Sequence, residues 1–497
     1  MTRRIANGMG WVIAWRVATR NLGLVSTLVL VRLLDPSDFG LIALATAFAN
    51  TVDALSALGV PDALLRMPSP DRDTYDSAFG IGVVRGLVTA LIIAGGAWPA
   101  AAFFNEPRLA IVLLMLALGT MITALENIGV VDFRRHMTFQ KEFHLQVVGR
   151  IIGVGVTIAS AWIWHSYWAL VAGIMITRIV RLVQSYIMSP YRPGFTLRAW
   201  RSLIGFSIWS WAVTLALQIR DRADNFVIGQ QMTTADVASF SVGQEIGALP
   251  ITEIVEPLNR TLFSAFVLLN HDDKDPRSLF LNVIEAALMV VMPAGVGISL
   301  VADPVVHLML GERWISVIPI VQILAIVGTL SVFGTVAASF NTAAGRLRTN
   351  FSLLAVSVAL RVPLLVVLVH THGLVGGAIA LCISTAVDQL LILALTAHGL
   401  RITAGALLVR LWRTSLACGA MVLALAWAGW AWTPTPSPGS LDMAADMVER
   451  SASGAAVYVL SLLVLWFASG RPAGVERTAL TAVGHGIRRI GRLVRLV

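Results

Sequence analysis

The chain has 497 residues, of which 57% are hydrophobic and 13% are charged. Its mean hydropathy of +0.78 excludes a water-soluble enzyme or a nucleic-acid-binding domain of this length. Apolar runs of about 20 residues, the length that an α-helix needs to cross a bilayer, recur from one end of the sequence to the other. These runs predict an all-α membrane protein.

The apolar runs predict about fourteen transmembrane helices. Their positions are residues 10–32, 39–60, 78–103, 109–130, 144–164, 167–187, 203–228, 235–259, 280–301, 316–340, 350–369, 373–396, 411–432 and 453–469. Arg16 and Arg20 interrupt the first run, so we expect it to be a true span and not a cleaved signal segment.

The distribution of Lys and Arg predicts the orientation of the chain. If the N-terminus is cytoplasmic, twenty-four of the 37 basic residues fall in inward segments and only four, Arg32, Arg108, Arg313 and Arg450, in outward ones. The positive-inside rule then predicts a bacterial inner-membrane protein with both termini in the cytoplasm. The basic tail, residues 471–497, is expected to lie on anionic membrane lipids, which explains the net charge of +9 without nucleic acid as a partner.

The other nine basic residues are arginines inside predicted spans. Four of them lie within about two turns of the inward end, where a long side chain can reach the lipid headgroups: Arg85, Arg150, Arg178 and Arg181. Five lie deeper: Arg16, Arg20, Arg220, Arg222 and Arg361. An arginine inside the bilayer costs about 2.5–3.5 kcal/mol, so the five deep ones are predicted to line a water-filled cavity. A guanidinium donates two hydrogen bonds to phosphate at once, which predicts an anionic cargo.

Acidic residues accompany these arginines. Single carboxylates occur in other spans at Asp53, Glu126, Glu285 and Asp388, and the eighth span places Glu245, Glu253, Glu256 and Arg260 within an arc of about 80°. One interpretation is that the acids pair with arginines and hold the bundle together. The other is that Asp53, Asp221, Asp224 or Glu245 binds a cation; the family resemblance described below implies coupling to H⁺ or Na⁺. The histidines and the two cysteines form no ligand pattern, so no metal site and no cofactor are expected.

The sequence also contains a weak internal duplication. The turn after the first span aligns with the turn after the seventh when Asp38 is placed on Asp236. Parallel repeats of six helices are typical of transporters that bind cargo between two lobes. The predicted organisation is an N-lobe of helices 1–6 (residues 1–190), a C-lobe of helices 7–12 (191–400), helices 13–14 (401–470) and the basic cytoplasmic tail (471–497).

Four segments carry a resemblance to a known family: RLLDPSDFGLIALA, IRDRADNFVIG, PLNRTLFSAF and LGERWISVIPIVQILA. They resemble the polysaccharide transporter branch of the multidrug/oligosaccharidyl-lipid/polysaccharide exporter (MOP) superfamily, and within it the Wzx-like flippases. The family motif positions correspond here to Arg222, Asp224, Asn225, Pro257, Asn259 and Arg260.

The resemblance implies a V-shaped, MATE-like arrangement of two six-helix lobes plus two C-terminal helices. It also implies alternating access that moves undecaprenyl-diphosphate-linked oligosaccharide from the inner to the outer leaflet for exopolysaccharide or lipopolysaccharide synthesis. Partners implied by the resemblance are a polysaccharide polymerase and a chain-length regulator.

Three other functions compete with this interpretation. A multidrug or cation antiporter of the same fold would bind its cargo with carboxylates and aromatic rings, whereas a peptidoglycan-precursor flippase would differ mainly in the sugar. A membrane polymerase or glycosyltransferase would need a catalytic motif or a large outer loop, and the longest predicted outer connection has about twenty residues (433–452). We therefore expect the chain not to be an enzyme.

Overall fold

The computed structural model of the chain describes residues 2–56, 59–67, 69–203, 208–255, 262, 265–266, 275–433, 440–472 and 474–477. Every regular element in these ranges is helical. The chain forms two compact units, Met1–Ser241 and Val242–Val497.

The first unit is a bundle of antiparallel helices joined by short turns. Its helices are α1 (Thr2–Leu33), α2 (Pro36–Leu55), α3 (Val60–Arg66), α4 (Arg72–Phe103), α5 (Arg108–Ala124), α6 (Val131–Arg135), α7 (Phe139–Trp164), α8 (Trp168–Met188), α9 (Trp200–Leu203) and α10 (Ile208–Gln231). A 3₁₀ turn, Ile128–Val130, precedes α6, and α11 (Thr234–Gly247) crosses the boundary between the units. The main packing pairs are α7 with α8, α4 with α5, and α1 with α7.

The second unit continues with a π-helical turn, Ile251–Val255, and six further helices. These are α12 (Arg277–Leu300), α13 (Ala302–Met309), α14 (Ile318–Ala343), α15 (Leu347–Gly399), α16 (Ala404–Trp427) and α17 (Ser440–Ala468), with a 3₁₀ segment, Glu312–Val317, before α14. Phe266, Phe280 and Phe340 form an aromatic core of this unit, with ring centroids 5.5 and 6.3 Å apart. Helix α14 packs on α15 and α12, and α16 packs on α17.

Nine helical segments of the described ranges are long and apolar enough to cross a membrane. A tenth is present if α5 and the segment Ile128–Arg135, which bend by 67° at their junction, form one span. Helices α1 and α10 have sufficient length but carry arginines in their interior, as the sequence predicts. The all-helical membrane fold is thus confirmed, while the number fourteen and the two-lobe arrangement stay predictions.

The structure corrects one predicted boundary. The last predicted span, 453–469, belongs to a helix that already begins at Ser440, so most of the predicted outer loop is helical. Arg450, predicted to lie in that loop, is only 3% exposed and pairs with Asp446 at 2.8 Å. The predicted eleventh and twelfth spans are two halves of α15, which turns at Gly373 with φ 58°.

Close helix contacts depend on glycine at two positions of the first unit. A Cβ added at Gly153 of α7 would lie 1.8 Å from Thr177 Oγ1 of α8, and one at Gly86 of α4 would lie 2.1 Å from the Cβ of Ala124 in α5. Gly82 has open space around it and does not serve this purpose. Small residues therefore bring α4 and α7 directly against their neighbours.

A charged cluster closes one end of the first unit. Arg108 donates from Nε and Nη2 to the two carboxylate oxygens of Glu106 at 2.9 Å each. Its guanidinium also lies 3.7 Å from Asp38 and 5.7 Å from the ring centre of Tyr167. These contacts connect the turns that precede α2, α5 and α8. Hydrogen bonds from Arg108 hold the pKa of Glu106, which lies between spans, below its usual range.

The two turns that the duplication aligns contact each other. A Cβ added at Gly40 would lie 1.6 Å from the carbonyl oxygen of Thr234. Asp236 caps the second turn by accepting hydrogen bonds from Thr233 N at 3.0 Å and from Thr233 Oγ1 at 2.6 Å. Gly40 is therefore required by the contact of α2 with the start of α11. The duplication itself stays a prediction.

Candidate functional site

The deep arginines of the prediction lie in both units. Arg20 is partly buried on α1, and Arg222 is partly buried on α10, where its Nε is shielded and has no hydrogen-bond partner in the described part of the chain. Arg220 pairs with its neighbour Asp221 at 2.9 Å. Arg361, on α15 of the second unit, is 8% exposed. The side chain of Arg16 lies outside the described residues.

The predicted acidic partners occupy different environments. Asp224 is buried in α10, and the following residue, Asn225, accepts a hydrogen bond from Ser241 Oγ at 3.0 Å. Glu245 is exposed on α11. In α15, Asp388 accepts a hydrogen bond from Ser357. Ser357 lies one turn before Arg361 on the same face of the helix. The motif residues Pro257, Asn259 and Arg260, and also Glu256, lie outside the described ranges, as do most residues of the basic tail.

A charged cavity of about 340 Å³ lies inside the first unit. It is lined by residues of α2 to α8 and of the 3₁₀ turn at Ile128. Seven ionisable side chains line it: Asp53, Arg85, Glu126, Arg134, Glu142, Arg178 and Arg181. Amide side chains of Asn50 and Gln146 reach the same space. Four guanidinium groups and three carboxylates give the lining a formal charge of +1.

Three of the four cavity arginines pair with the three carboxylates. Arg85 Nη1 donates to Asp53 Oδ1 at 3.1 Å, and Arg134 Nε donates to Glu142 Oε1 at 2.5 Å. Arg181 Nε and Glu126 Oε1 lie 3.2 Å apart. Each pair joins neighbouring helical elements, so the pairs hold α2 to α4, α6 to α7 and α5 to α8.

Arg178 is the remaining cation of the cavity. Its Nη1 donates to the backbone carbonyl of Leu116 at 3.3 Å, and it makes no ion pair within the described ranges. A Cβ at Gly119 would lie 2.6 Å from this nitrogen, so the absence of a side chain at Gly119 provides space for the guanidinium. A partly buried arginine with no carboxylate at ion-pair distance gives the cavity its surplus positive charge.

Arg85, Arg178 and Arg181, which the sequence predicts to extend to the lipid headgroups, line this cavity and are partly buried. Their extension to the headgroups stays a prediction. Arg150 differs, because it is exposed on α7 and does not line the cavity.

One sequence signal could have located this site. Asp53 and Glu126 end two inward-running spans, while Arg178 and Arg181 share one face of the sixth span at a spacing of three residues. Opposite charges near the same membrane face predict pairing across helices. Groups of three or more His, Cys, Asp or Glu that could hold a metal ion are absent from the described ranges.

Comparison with known proteins identifies the family. Residues 29–319 match the family model described as "Polysaccharide biosynthesis protein". The chain is 22% identical over 380 residues to the lipopolysaccharide biosynthesis protein WzxC of Escherichia coli (strain K12), covering 76% of this chain and 77% of the relative. It is also 22% identical over 326 residues to the succinoglycan biosynthesis transport protein ExoT of Rhizobium meliloti (strain 1021), covering 65% and 66%.

Two solved structures share the fold. The lipid II flippase MurJ, in an inward closed conformation, superposes with a TM-score of 0.73 at 14% identity, covering 92% of this chain and all of MurJ. An inward-facing multidrug resistance MATE family transporter of the MOP superfamily has a TM-score of 0.62 at 17% identity, covering 77% and 94%. The family model covers more than half of the sequence. The chain therefore belongs to the polysaccharide biosynthesis protein family, and it has the fold of MurJ and of the MATE transporter of the MOP superfamily.

Proposed function

We propose that the protein is a flippase that moves an undecaprenyl-diphosphate-linked oligosaccharide repeat unit from the inner to the outer leaflet of the cytoplasmic membrane. Family membership over residues 29–319 is the observation that carries this proposal. The relatives WzxC and ExoT bear names of lipopolysaccharide biosynthesis and succinoglycan transport, which supports a polysaccharide precursor as cargo.

The charge of the interior supports an anionic cargo. Arg16, Arg20, Arg220, Arg222 and Arg361 are the proposed cargo contacts, because guanidinium groups replace water as partners of a diphosphate inside the bilayer. The polyprenyl chain stays in lipid while the head group passes through the protein. Alternating access of two lobes would expose these arginines to each leaflet in turn.

A coupling cation, H⁺ or Na⁺, is part of the proposal. Asp53, Asp221, Asp224 and Glu245 are the candidate carboxylates. Asp53 and Asp221 lie 3.1 and 2.9 Å from arginine nitrogens. Asp224 is the most buried of the four carboxylates, and we would substitute it first.

Deletion and complementation in the host bacterium test the proposed cargo. Loss of the gene should abolish surface polysaccharide, and the wild-type gene should restore it. If the deletion lowers drug resistance instead, the protein is a multidrug antiporter. If the deletion stops peptidoglycan synthesis instead, the protein is a lipid II flippase. Surface polysaccharide that is unchanged by the deletion would contradict the proposal.

A further inference from the structure

The segment that joins α8 to α9 is held against the first unit by a buried carboxylate. This segment, here named the strap, comprises residues 187–201, and between 189 and 199 it forms neither helix nor strand. Asp76 of α4 accepts hydrogen bonds from Gly194 N and from Tyr191 Oη, both at 2.6 Å. Because Asp76 is buried, these bonds fix the middle of the strap to the start of α4.

Two further buried side chains bind the strap backbone. Asn127 Nδ2 donates a hydrogen bond to the carbonyl oxygen of Tyr191 at 2.6 Å, and Ser77 Oγ accepts one from Ala199 N at 3.0 Å. Asn127 and Ser77 are fully buried, and buried polar groups of a folded protein keep their hydrogen-bond partners. The strap is therefore a fixed part of the first unit, and it presents its exposed side chains from a fixed backbone.

The exposed side chains of the strap combine apolar groups with positive charge. Its large exposed apolar side chains are Ile187, Phe195, Leu197 and Trp200, of which Ile187 is 77% exposed. Its exposed basic side chains are Arg192, Arg198 and Arg201. The strap contains no Asp or Glu, so its formal charge is +3. These seven side chains, here named the strap face, form a surface that is both cationic and apolar.

The position of the strap in the chain indicates a lipid surface as the partner of this face. Helix α8 has the length and hydropathy of a membrane span and ends at Met188, so the strap leaves the span directly. At the level of the lipid head groups, apolar side chains enter the edge of the hydrocarbon layer while basic side chains contact phosphate groups. The Trp200 ring, with the Arg201 guanidinium carbon 5.5 Å from its centre, has the mixed character that is typical of this region.

We propose that the strap face is a binding site for anionic phospholipid of the leaflet that it borders. A zwitterionic head group carries its own cation, whereas an anionic head group has a net negative charge that offsets the three arginines. Each basic residue close to an anionic membrane surface adds to this attraction. The site goes beyond the proposed function, because no residue of the strap belongs to the proposed cargo or cation contacts.

Fluorescence quenching in vesicles tests the site on the full-length protein. Cys382 and Cys418 are replaced by alanine, and a bimane label on Leu197→Cys replaces one apolar side chain of the strap face by another. The vesicles contain equal amounts of phosphatidylglycerol and phosphatidylcholine, and either the first or the second lipid is brominated. The quenching constant of brominated phosphatidylglycerol should be at least about threefold larger than that of brominated phosphatidylcholine, because the arginines attract the anionic lipid.

Two variants that lose the same charge show whether the preference belongs to the strap. Arg198→Gln combined with Arg201→Gln removes two exposed arginines of the strap face, and both lipids should then quench the label equally. Arg346→Gln combined with Arg401→Gln removes two exposed arginines of the second unit and should keep the preference for phosphatidylglycerol. Arg192 is left unchanged in both variants, because its guanidinium also donates to carbonyl oxygens of the strap.

A conservative variant separates loss of charge from misfolding. Arg198→Lys combined with Arg201→Lys keeps the charge and should keep the preference for phosphatidylglycerol. Elution as a single species identifies folded variants.

Three results would overturn the proposal. The first is equal quenching by the two lipids when all arginines are present, and the second is an equal effect of the glutamine variants in the strap and in the second unit. The third is no quenching by either lipid, which would favour a protein partner for the strap face. Because no transport is measured, failure of this proposal leaves the flippase proposal intact, and the reverse also holds.

Discussion

At the scale of single residues, Glu106 has the clearest pH dependence. Its carboxylate accepts two hydrogen bonds from Arg108, which lower its pKa below the ordinary value of 4.5. A carboxylate with a lowered folded-state pKa stabilises the fold above its unfolded pKa and loses that contribution as the pH falls through the folded value.

Glu106→Gln should therefore lower the unfolding free energy by about 1 kcal/mol at pH 7, the size expected for a partly exposed charged pair. The difference from wild type should be smaller at pH 3, which lies below the ordinary pKa of 4.5. Thermal unfolding in detergent at pH 7 and pH 3 measures this difference in stability. Glu449→Gln is the control, because Glu449 is exposed and makes no ion pair in the described ranges. A loss of stability that is equal at both pH values would show that charge is not its cause.

The arginines show how far single residues could be predicted from the sequence. Hydropathy located every one of them in a predicted span. Their depth placed Arg85, Arg150, Arg178 and Arg181 in one group, whereas in the structure three of them line the cavity and Arg150 is exposed on α7. Whether an arginine faces lipid or a cavity depends on neighbouring helices, and this information is not contained in one span.

At the scale of elements, the packing of α7 on α8 makes a testable prediction. A Cβ at Gly153 would lie 1.8 Å from Thr177 Oγ1, while one at Gly155 would meet nothing within 4 Å. Gly153→Ala should destabilise the protein by about 1–3 kcal/mol through overpacking. Gly155→Ala is the matched control on the same helix and should be neutral or stabilising.

Melting temperatures of the two variants, measured in the same detergent, provide the comparison. Equal melting temperatures of the Gly153→Ala and Gly155→Ala proteins would contradict the close contact between α7 and α8.

Helix boundaries illustrate what periodicity and hydropathy can predict. The break at Gly373 falls at the boundary between the spans predicted at 350–369 and 373–396. The arginines inside α1 and α10 are also recognisable in the sequence, because charged residues are rare inside apolar runs. The start of α17 at Ser440 is not recognisable there, since Asp442, Asp446 and Arg450 make its first turns resemble a loop. The pairing of Arg450 with Asp446 at 2.8 Å stabilises this polar helical segment, and such pairing is invisible to hydropathy.

At the scale of the whole molecule, the sequence predicted the class and family of the protein through four short segments. The fold comparison adds that lipid flippases and multidrug transporters share this architecture. Architecture alone does not select a cargo, because one scaffold hosts different chemistries. The proposed selection of an anionic cargo depends on the arginines of the interior, which the architecture itself does not determine.

The central claim, that the protein flips a diphosphate-linked oligosaccharide, is tested most directly in vesicles. Purified protein is reconstituted with undecaprenyl-diphosphate-linked repeat unit isolated from a host that lacks the gene. The fraction of its sugar reached by a membrane-impermeant lectin is then followed over time. The wild type should make the inner-leaflet pool accessible, Arg150→Ala should do the same, and Arg20→Ala should not, although it is folded. Equal accessibility with wild-type protein and with empty vesicles would contradict the claim.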